Sequence, residues 1–457
     1  MKGVSKWSYA PYRPLIDDRG EIYICQIIPD KTSIKFSWLG KDNLFSVFYK
    51  KREDEEFSLF TETTDNFCVI SSLSEGQDYC FFVQSVSARS SVRLARTGEA
   101  VGTVVNYLHP DDDYYAFSGK YLCSPSMVRH PSGYLLSSMD LYAHAHPQNL
   151  TLIFRSDDNG KSWRYLCELM PCFWGKLFVL GDIVYMIACS TEYGDLLISR
   201  STDGGNSFDA PVTLIRGSNG KNGNDGVHKN PQPPVIFNDR IYFSLEWGCW
   251  ANEQFCHAPM VCSAPLCSDL LNPENWAFTP PKKFERFASE LDHLPLNSMT
   301  IEGTLVITPK GELYDVLRFS GDRQALCYKV NTNDPHAPLE YACVMPFSAN
   351  RSKFTIKFDS FSGYYYSVAT VIHDEKNHWT RNYLCLLKSK DLRSWENALA
   401  IYDKRNCSPQ KTGFQYVDFD FYGEDIVFVC RTAINEPNDY HNSNYQTFDT
   451  IKNFRSL

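Results

Sequence analysis

The chain has 457 residues, about three times the ~150 residues taken as one domain, so it holds two or three domains or one large repetitive one. Hydrophobic residues make up 43% and charged residues 22%, a globular composition, and no apolar run approaches the ~18 residues that span a bilayer. With 45 basic against 54 acidic residues the net charge is -9 and no basic cluster occurs, which argues against a nucleic-acid partner as the hydropathy argues against a membrane.

Met1-Lys2-Gly3-Val4-Ser5-Lys6-Trp7-Ser8 leads into polar, Pro-containing sequence without an apolar stretch and cleavage site, which predicts a cytoplasmic protein, or a secreted one already trimmed. The 16 Cys fall mostly singly in apolar runs, as at Cys80, Cys189, Cys327, Cys385 and Cys430, where a reduced thiol is a small buried hydrophobe. Cys249, Cys256 and Cys262 near His257 lack the spacing of a zinc site, so neither metal nor cofactor is expected. The 30 Phe, 27 Tyr and 9 Trp stand in short alternating runs punctuated by Gly and Pro, which predicts an all-β protein.

Short strands around Ile24, Phe36, Val47, Val69 and Phe81 predict a small β-sandwich within residues 1–100. Ile70-Ser71-Ser72-Leu73-Ser74-Glu75-Gly76-Gln77-Asp78-Tyr79, with Trp38, resembles the fibronectin type III pattern, in which a Leu precedes a turn and a corner Tyr opens the next strand. Val104-Val105-Asn106-Tyr107-Leu108 is a β-prone run placed to pair with the last repeat of the chain.

From residue 121 a hairpin unit recurs six times, at Met127–Leu136, Leu177–Met186, Val235–Phe243, Leu305–Tyr314, around Gly363 and around Gly423. Repeats of 40 to 60 residues bury their faces only against neighbours, which predicts a six-bladed β-propeller over 101–457. Ser156-Asp157-Asp158-Asn159-Gly160-Lys161-Ser162-Trp163 and Ser201-Thr202-Asp203-Gly204-Gly205-Asn206-Ser207-Phe208 share the form Ser-x-Asp-x-Gly-x-Ser-aromatic. They resemble the Asp-boxes of sialidase-like propellers, with degenerate relatives at Ser389–Trp395 and Ser268–Trp276. Their need is local: the carboxylate accepts loop N–H bonds and Gly takes positive φ.

If box turns lie on one face, strand ends on the other surround the central channel, where propeller sites form. That rule selects Ser124, Asp140, His144 and His146, then Trp174, Lys176, Glu192, Tyr193 and Asp195. Later blades add His228, Lys229, Glu246, Trp247, Glu302, Arg318, Arg351, Lys353, Asp418 and Arg431. Glu302, Glu246, His228 and Asp140 are the expected catalytic groups. Arg318, Lys176, Trp174, Glu192, Trp247, Lys353 and Arg431 are the expected substrate-binding groups.

Ile301-Glu302-Gly303-Thr304, with Arg318 ending the next strand, is similar to the sialidase stretch in which a Glu activates a nucleophilic Tyr and an Arg, one of three, binds a carboxylate. The resemblance implies those roles for Glu302 and Arg318. The chain departs from that pattern at Cys123-Ser124-Pro125, which lacks the first Arg, and at His144-Ala145-His146, where the acid Asp would stand. His228 with Glu246 supplies another acid/base pair. A glycoside hydrolase acting exo on a short, acidic oligosaccharide is therefore expected, with an uronate lyase using His228 and Tyr193, or a non-catalytic carbohydrate-binding propeller, as the alternatives.

Overall fold

A computed structural model describes residues 22–144, 146–218, 224–250, 257–295 and 298–457. The readings on Met1–Ser8, Ala145, Cys256 and part of the Gly217–Gly226 loop lie outside them.

Among the N-terminal strands Ile34–Leu39, Phe67–Ile70 and Arg93–Arg96 alternate buried with more exposed side chains, as half-buried sheets require, whereas Tyr23–Pro29 is buried almost throughout. The N-terminal strands form a sandwich of three (Tyr23–Pro29, Ile34–Leu39, Phe67–Ile70) on four (Ser58–Thr63, Phe45–Lys51, Asp78–Gln84, Arg93–Arg96). Phe36 stacks on Phe81 at 4.3 Å in its core, with Trp38 edge-on to Phe45.

Six sheets come next, each a four-strand meander or close to it. Blade one is Tyr121–Arg129, Leu135–Tyr142, Thr151–Ser156 and Arg164–Leu169. Blade two is Phe173–Leu180, Ile183–Cys189, Leu196–Ser201 and Val212–Ile215. Blade four is Thr300–Ile307, Leu313–Phe319, Gln324–Lys329 and Glu340–Pro346, and blade five Lys357–Asp359, Tyr364–Thr370, Tyr383–Ser389 and Glu396–Asp403. Blade three pairs Arg240–Gly248 with His257–Pro265 and Ala277–Phe278, but its first strand is split into Gly226–His228 and Val235–Phe237. Pro231, Pro233 and Pro234 lie in the gap, and a proline has no N–H to give a ladder.

Blade six is Gly413–Tyr422, Asp425–Ala433 and Tyr445–Ile451, completed by Thr103–Tyr107 from the start of the propeller. The first strands of neighbouring blades meet around the axis: Leu177 N–H donates to Ser126 Oγ at 2.9 Å, Ile356 N–H to Thr304 Oγ1 at 3.3 Å, and Met127 N–H to Asp418 Oδ2 at 2.7 Å. The sandwich docks through apolar contacts, Tyr107 and Tyr445 joining its core and Tyr23 and Cys25 that of blade one, and through polar ones. Tyr23 Oη donates to Glu168 Oε2 at 2.8 Å, and Gln26 Nε2 donates to the carbonyls of Val105 (2.7 Å) and Trp163 (3.1 Å).

The two Ser-x-Asp-x-Gly turns close their own loops. Asp158 accepts from Ser162 N at 2.9 Å, Ser162 Oγ at 2.6 Å and Ser156 Oγ at 2.8 Å; Asp203 repeats the pattern on Ser207 and Ser201. Gly160 is required by space as well as by its φ of 86°, since a Cβ there would meet the Phe448 ring at 2.0 Å.

Removing a carboxylate that three donors share should destabilise the fold. Asp158→Ala or Asp203→Ala is expected to lower the unfolding free energy by about 1–3 kcal/mol in urea denaturation. Asp157→Ala serves as the control. Its carboxylate is exposed and meets only the Arg155 and Arg164 side chains, so a change within about 0.5 kcal/mol is expected. Equal losses at 157 and 158 would refute the loop-closing role.

Candidate functional site

The first strands of blades two, four and six break register at the same end of the propeller, between Phe173 and Lys176, between Ile301 and Thr304, and between Gln415 and Asp418. Each break carries a non-glycine residue at positive φ: Trp174 at 51°, Glu302 at 59° and Tyr416 at 56°. Such a residue is strained by about 1–3 kcal/mol and a bulge re-aims its side chain, so strain here coincides with side chains turned to one place. That place is a cavity of about 140 Å³ lined by all three. Ordinary ligand pockets run from about 300 Å³ upward, so this one is small.

At the cavity the Tyr416 hydroxyl donates to Glu302 Oε1, and Arg318 Nη1 donates to Glu302 Oε2 at 2.8 Å. Burial pushes the Glu302 carboxyl up, but the Arg318 charge and the bonds from Tyr416 and Arg318 outweigh it and hold the group below the usual glutamate range. Desolvation, then the Glu302 charge, push the Tyr416 hydroxyl far up, so it stays protonated.

Two further guanidiniums line the cavity, Arg381 and Arg431. Arg381 donates to Gln415 Oε1 and to the Arg351 carbonyl (3.1 Å), and Arg431 to the His441 carbonyl and to Cys123 Sγ (3.3 Å). Neither forms an ion pair with a described residue. Burial, with Arg318 as a neighbour of like charge, pushes Arg381 down to about 10. The Nε–H groups of Arg318, Arg381 and Arg431 are buried without an acceptor among the described residues. The cavity thus holds positive charge and unspent donors, the chemistry that receives an anion.

His228 enters from blade three. Its Nδ1 lies 2.6 Å from Glu246 Oε2, whose Oε1 accepts Gly303 N–H at 3.1 Å. Glu246 therefore fixes the ring, and Nε2 is the nitrogen left to a ligand. Beside it, His257 Nε2 lies 3.1 Å from the Tyr193 hydroxyl, and the His228 and His257 rings are 4.8 Å apart. Burial and then the neighbouring His228 hold His257 well below the usual histidine range.

Of the eleven residues expected to be catalytic or substrate-binding, Glu302, Arg318, His228, Trp174, Glu192 and Arg431 line this cavity. Five do not. Glu246 is fully buried behind His228 and reaches the cavity only through it. Asp140 accepts the N–H groups of Ser124 and Trp174, each at 2.6 Å, and so ties blade one to the blade-two bulge. Lys176 pairs with Asp418 and the Met127 carbonyl (3.0 Å), while Lys353 donates to the Val417 carbonyl at 3.0 Å. Both ammonium groups are spent among the first strands, because selecting by strand end fixes the face but not the depth. Trp247 packs half-buried against the cluster between blades two and three.

Tyr416, Arg381, His441, Tyr142 and Trp250 line the cavity and fall outside that selection. Tyr416 stands in the alternating run Gly413–Tyr422, where the bulge resets the period of two and reverses the face that each residue takes. Arg381 precedes a third strand, outside the ends of the first two. No motif marks either.

No family model matches the sequence, and neither does any curated protein. Solved structures do match. An alpha-L-arabinanase of Penicillium chrysogenum complexed with arabinobiose is 13% identical over 77% of this chain and 98% of its own, with a TM-score of 0.50. The GH93 alpha-L-arabinofuranosidase of Fusarium graminearum is 12% identical over 77% and 97%, with a TM-score of 0.51. The Hadza microbial sialidase Hz136, at 12% and a TM-score of 0.50, covers 97% of this chain and 98% of its own. At such identities the likeness establishes the fold, a sialidase-like six-bladed propeller behind a small β-sandwich.

Asp140 gives the site a titration that stability reports. Burial pushes its carboxyl up to about 7 against the two N–H groups that favour its charge. Between about pH 4 and 7 the unfolded chain releases a proton that the folded chain keeps, so this contribution is complete at low pH and is lost as pH rises. The melting temperature of the parent relative to Asp140→Asn should fall across that window and then level. A difference that is constant or grows with pH would overturn the assignment.

Proposed function

We propose that the protein is an exo-acting glycoside hydrolase that takes one acidic sugar at the end of a short oligosaccharide. The observation that carries this reading is the Tyr416 hydroxyl held on Glu302, itself paired with Arg318, beside two guanidiniums that form no ion pair with a described residue. A sugar carboxylate would complete Arg381, Arg431 and Arg318. A neutral tyrosine suits that substrate as a nucleophile, because a carboxylate nucleophile would be repelled by the substrate's own charge.

In the reaction, Tyr416 Oη attacks the anomeric carbon while Glu302 takes its proton. His228, held at Nδ1 by Glu246, delivers a proton from Nε2 to the leaving oxygen. Water, giving its proton to His228 Nε2, then releases the sugar, the Tyr416 oxygen takes its proton back from Glu302, and the net outcome is retention. Substrate binding also activates the base: a carboxylate that draws the Arg318 fork away from Glu302 removes the main charge holding its basicity down. The fold shared with sugar-cleaving enzymes accords with this reading.

A second reading rests on the Tyr193–His257–His228 array, in which a neutral His257 and the Tyr193 phenol suit proton abstraction and β-elimination from an uronate. We read residues 1–100 as a fibronectin type III-like module and 101–457 as the propeller, supported by the three-on-four sandwich and by Tyr79 Oη accepting Ser74 N–H at 3.0 Å. The Ser-x-Asp-x-Gly turns read as Asp-boxes on their carboxylate bonds.

Aryl glycosides of acidic and neutral sugars, with uronate oligomers, separate the readings. Tyr416→Phe and Glu302→Gln should each lower kcat by about two to four orders of magnitude, at little change in KM and with melting like the parent's. Arg381→Lys should raise KM for acidic substrates and leave neutral ones unaffected. An unsaturated uronate product that survives Tyr416→Phe and disappears in Tyr193→Phe would replace hydrolysis by elimination. Parent-like hydrolysis by Tyr416→Phe would remove the nucleophile.

A further inference from the structure

Most cysteines of this chain face apolar neighbours, and burial pushes their thiols up, Cys385 to about 11 and Cys430 to about 12. Cys327 and Cys343 are placed differently. They lie on neighbouring antiparallel strands of blade four, Gln324–Lys329 and Glu340–Pro346, directly opposite each other in register. Among the described strands no other two cysteines are so paired. The sequence hid this, since Cys327 stands alone in an apolar run and its partner lies across a loop.

Facing residues of an antiparallel pair have Cα atoms about 4.5–5.5 Å apart and side chains on one face, inside the span that a disulfide bridges. Cys327 is buried, whereas Cys343 is half-buried, and both line a cavity of about 320 Å³ between blades four and five. Lys310 and Arg393 line it too, Arg393 from the Ser389–Trp395 turn. A partly exposed thiol beside a guanidinium is the setting in which a thiolate forms. The Cys327 thiol, then the Arg393 charge, bring Cys343 down to about 7, and the same proton sharing pushes Cys327 up.

We infer that Cys343 and Cys327 form a peroxide-oxidisable dithiol, with Cys343 as the attacking thiol and Cys327 as the resolving one. The Cys343 thiolate attacks one oxygen of hydrogen peroxide, the O–O bond breaks, and the departing hydroxide takes a proton to leave as water. The resulting Cys343 sulfenic acid is attacked by Cys327 sulfur; the S–S bond forms and the sulfenic oxygen leaves with the Cys327 proton as a second water. Two thiols are oxidised and one peroxide is reduced. The product joins the third and fourth strands of the blade, and a thiol reductant returns the dithiol.

The test uses the full chain. After a small excess of hydrogen peroxide on the folded protein, denaturing alkylation with N-ethylmaleimide and peptide mapping should find the thiols at 327 and 343 lost together. Their two peptides should be joined, and dithiothreitol should separate them. In Cys327→Ser, dimedone should trap a sulfenic acid at 343 with no internal disulfide; in Cys343→Ser, the thiol at 327 should remain alkylable. Oxidation of the exposed Cys267 or Cys407 ahead of 343 would overturn the inference. So would a parent in which 343 proceeds to irreversible oxyacids with no joined peptide, a result that needs no variant to fold.

Discussion

Ring closure is the constraint on which the molecule depends. A propeller blade buries its two faces only against neighbours, so the ring is stable when the last blade meets the first. Here Tyr445–Ile451 takes Thr103–Tyr107 as its fourth partner, with Thr103 opposite Phe448 and Tyr107 opposite Tyr445. The same short strand also receives the sandwich, since Asn106 Oδ1 accepts Ile27 N–H at 3.2 Å and Val105 O accepts Gln26. One segment therefore closes the ring and anchors the module before it. Closure also assembles the site, because Tyr416 and Arg431 belong to blade six while Cys123 and Tyr142 belong to blade one.

Around the axis this geometry gathers charge where water is scarce, and the chain divides it into two tiers. In the deeper tier Asp418 balances Lys176, and burial brings Lys353 down to about 7. In the upper tier Glu302 answers Arg318, while among the described residues Arg381 and Arg431 meet carbonyl, amide, imidazole and thiol partners and no carboxylate ion pair. An uncompensated buried cation is unfavourable in a resting protein and favourable once an anion arrives. The lower tier therefore reads as structure and the upper tier as reception.

The fold was legible because its signals are periodic and repeated: six hairpins, two full Ser-x-Asp-x-Gly turns, and a spare β-run at 104–108 that the ring needed. The site was half legible. Glu302, Arg318 and His228 stand at strand ends, where counting residues finds them. Tyr416 does not, because a single inserted residue at Gln415–Asp418 reverses the face on which alternation would place it. Lys176 and Lys353 show the converse, correct in face and wrong in depth, for nothing in a one-dimensional pattern distinguishes the mouth of a channel from its floor. The facing of Cys327 and Cys343 depends on register, which the local sequence does not print.

The bulges under Trp174, Glu302 and Tyr416 each hold a bulky residue in a backbone shape that glycine adopts freely, so each position is a local optimum for glycine and a standing disadvantage for the residue present. A selection for thermal resistance alone would drift toward smaller residues here and lose the very groups that face the cavity. The most heat-stable descendants of this chain would then be those that have lost the acidic and aromatic side chains from these bends.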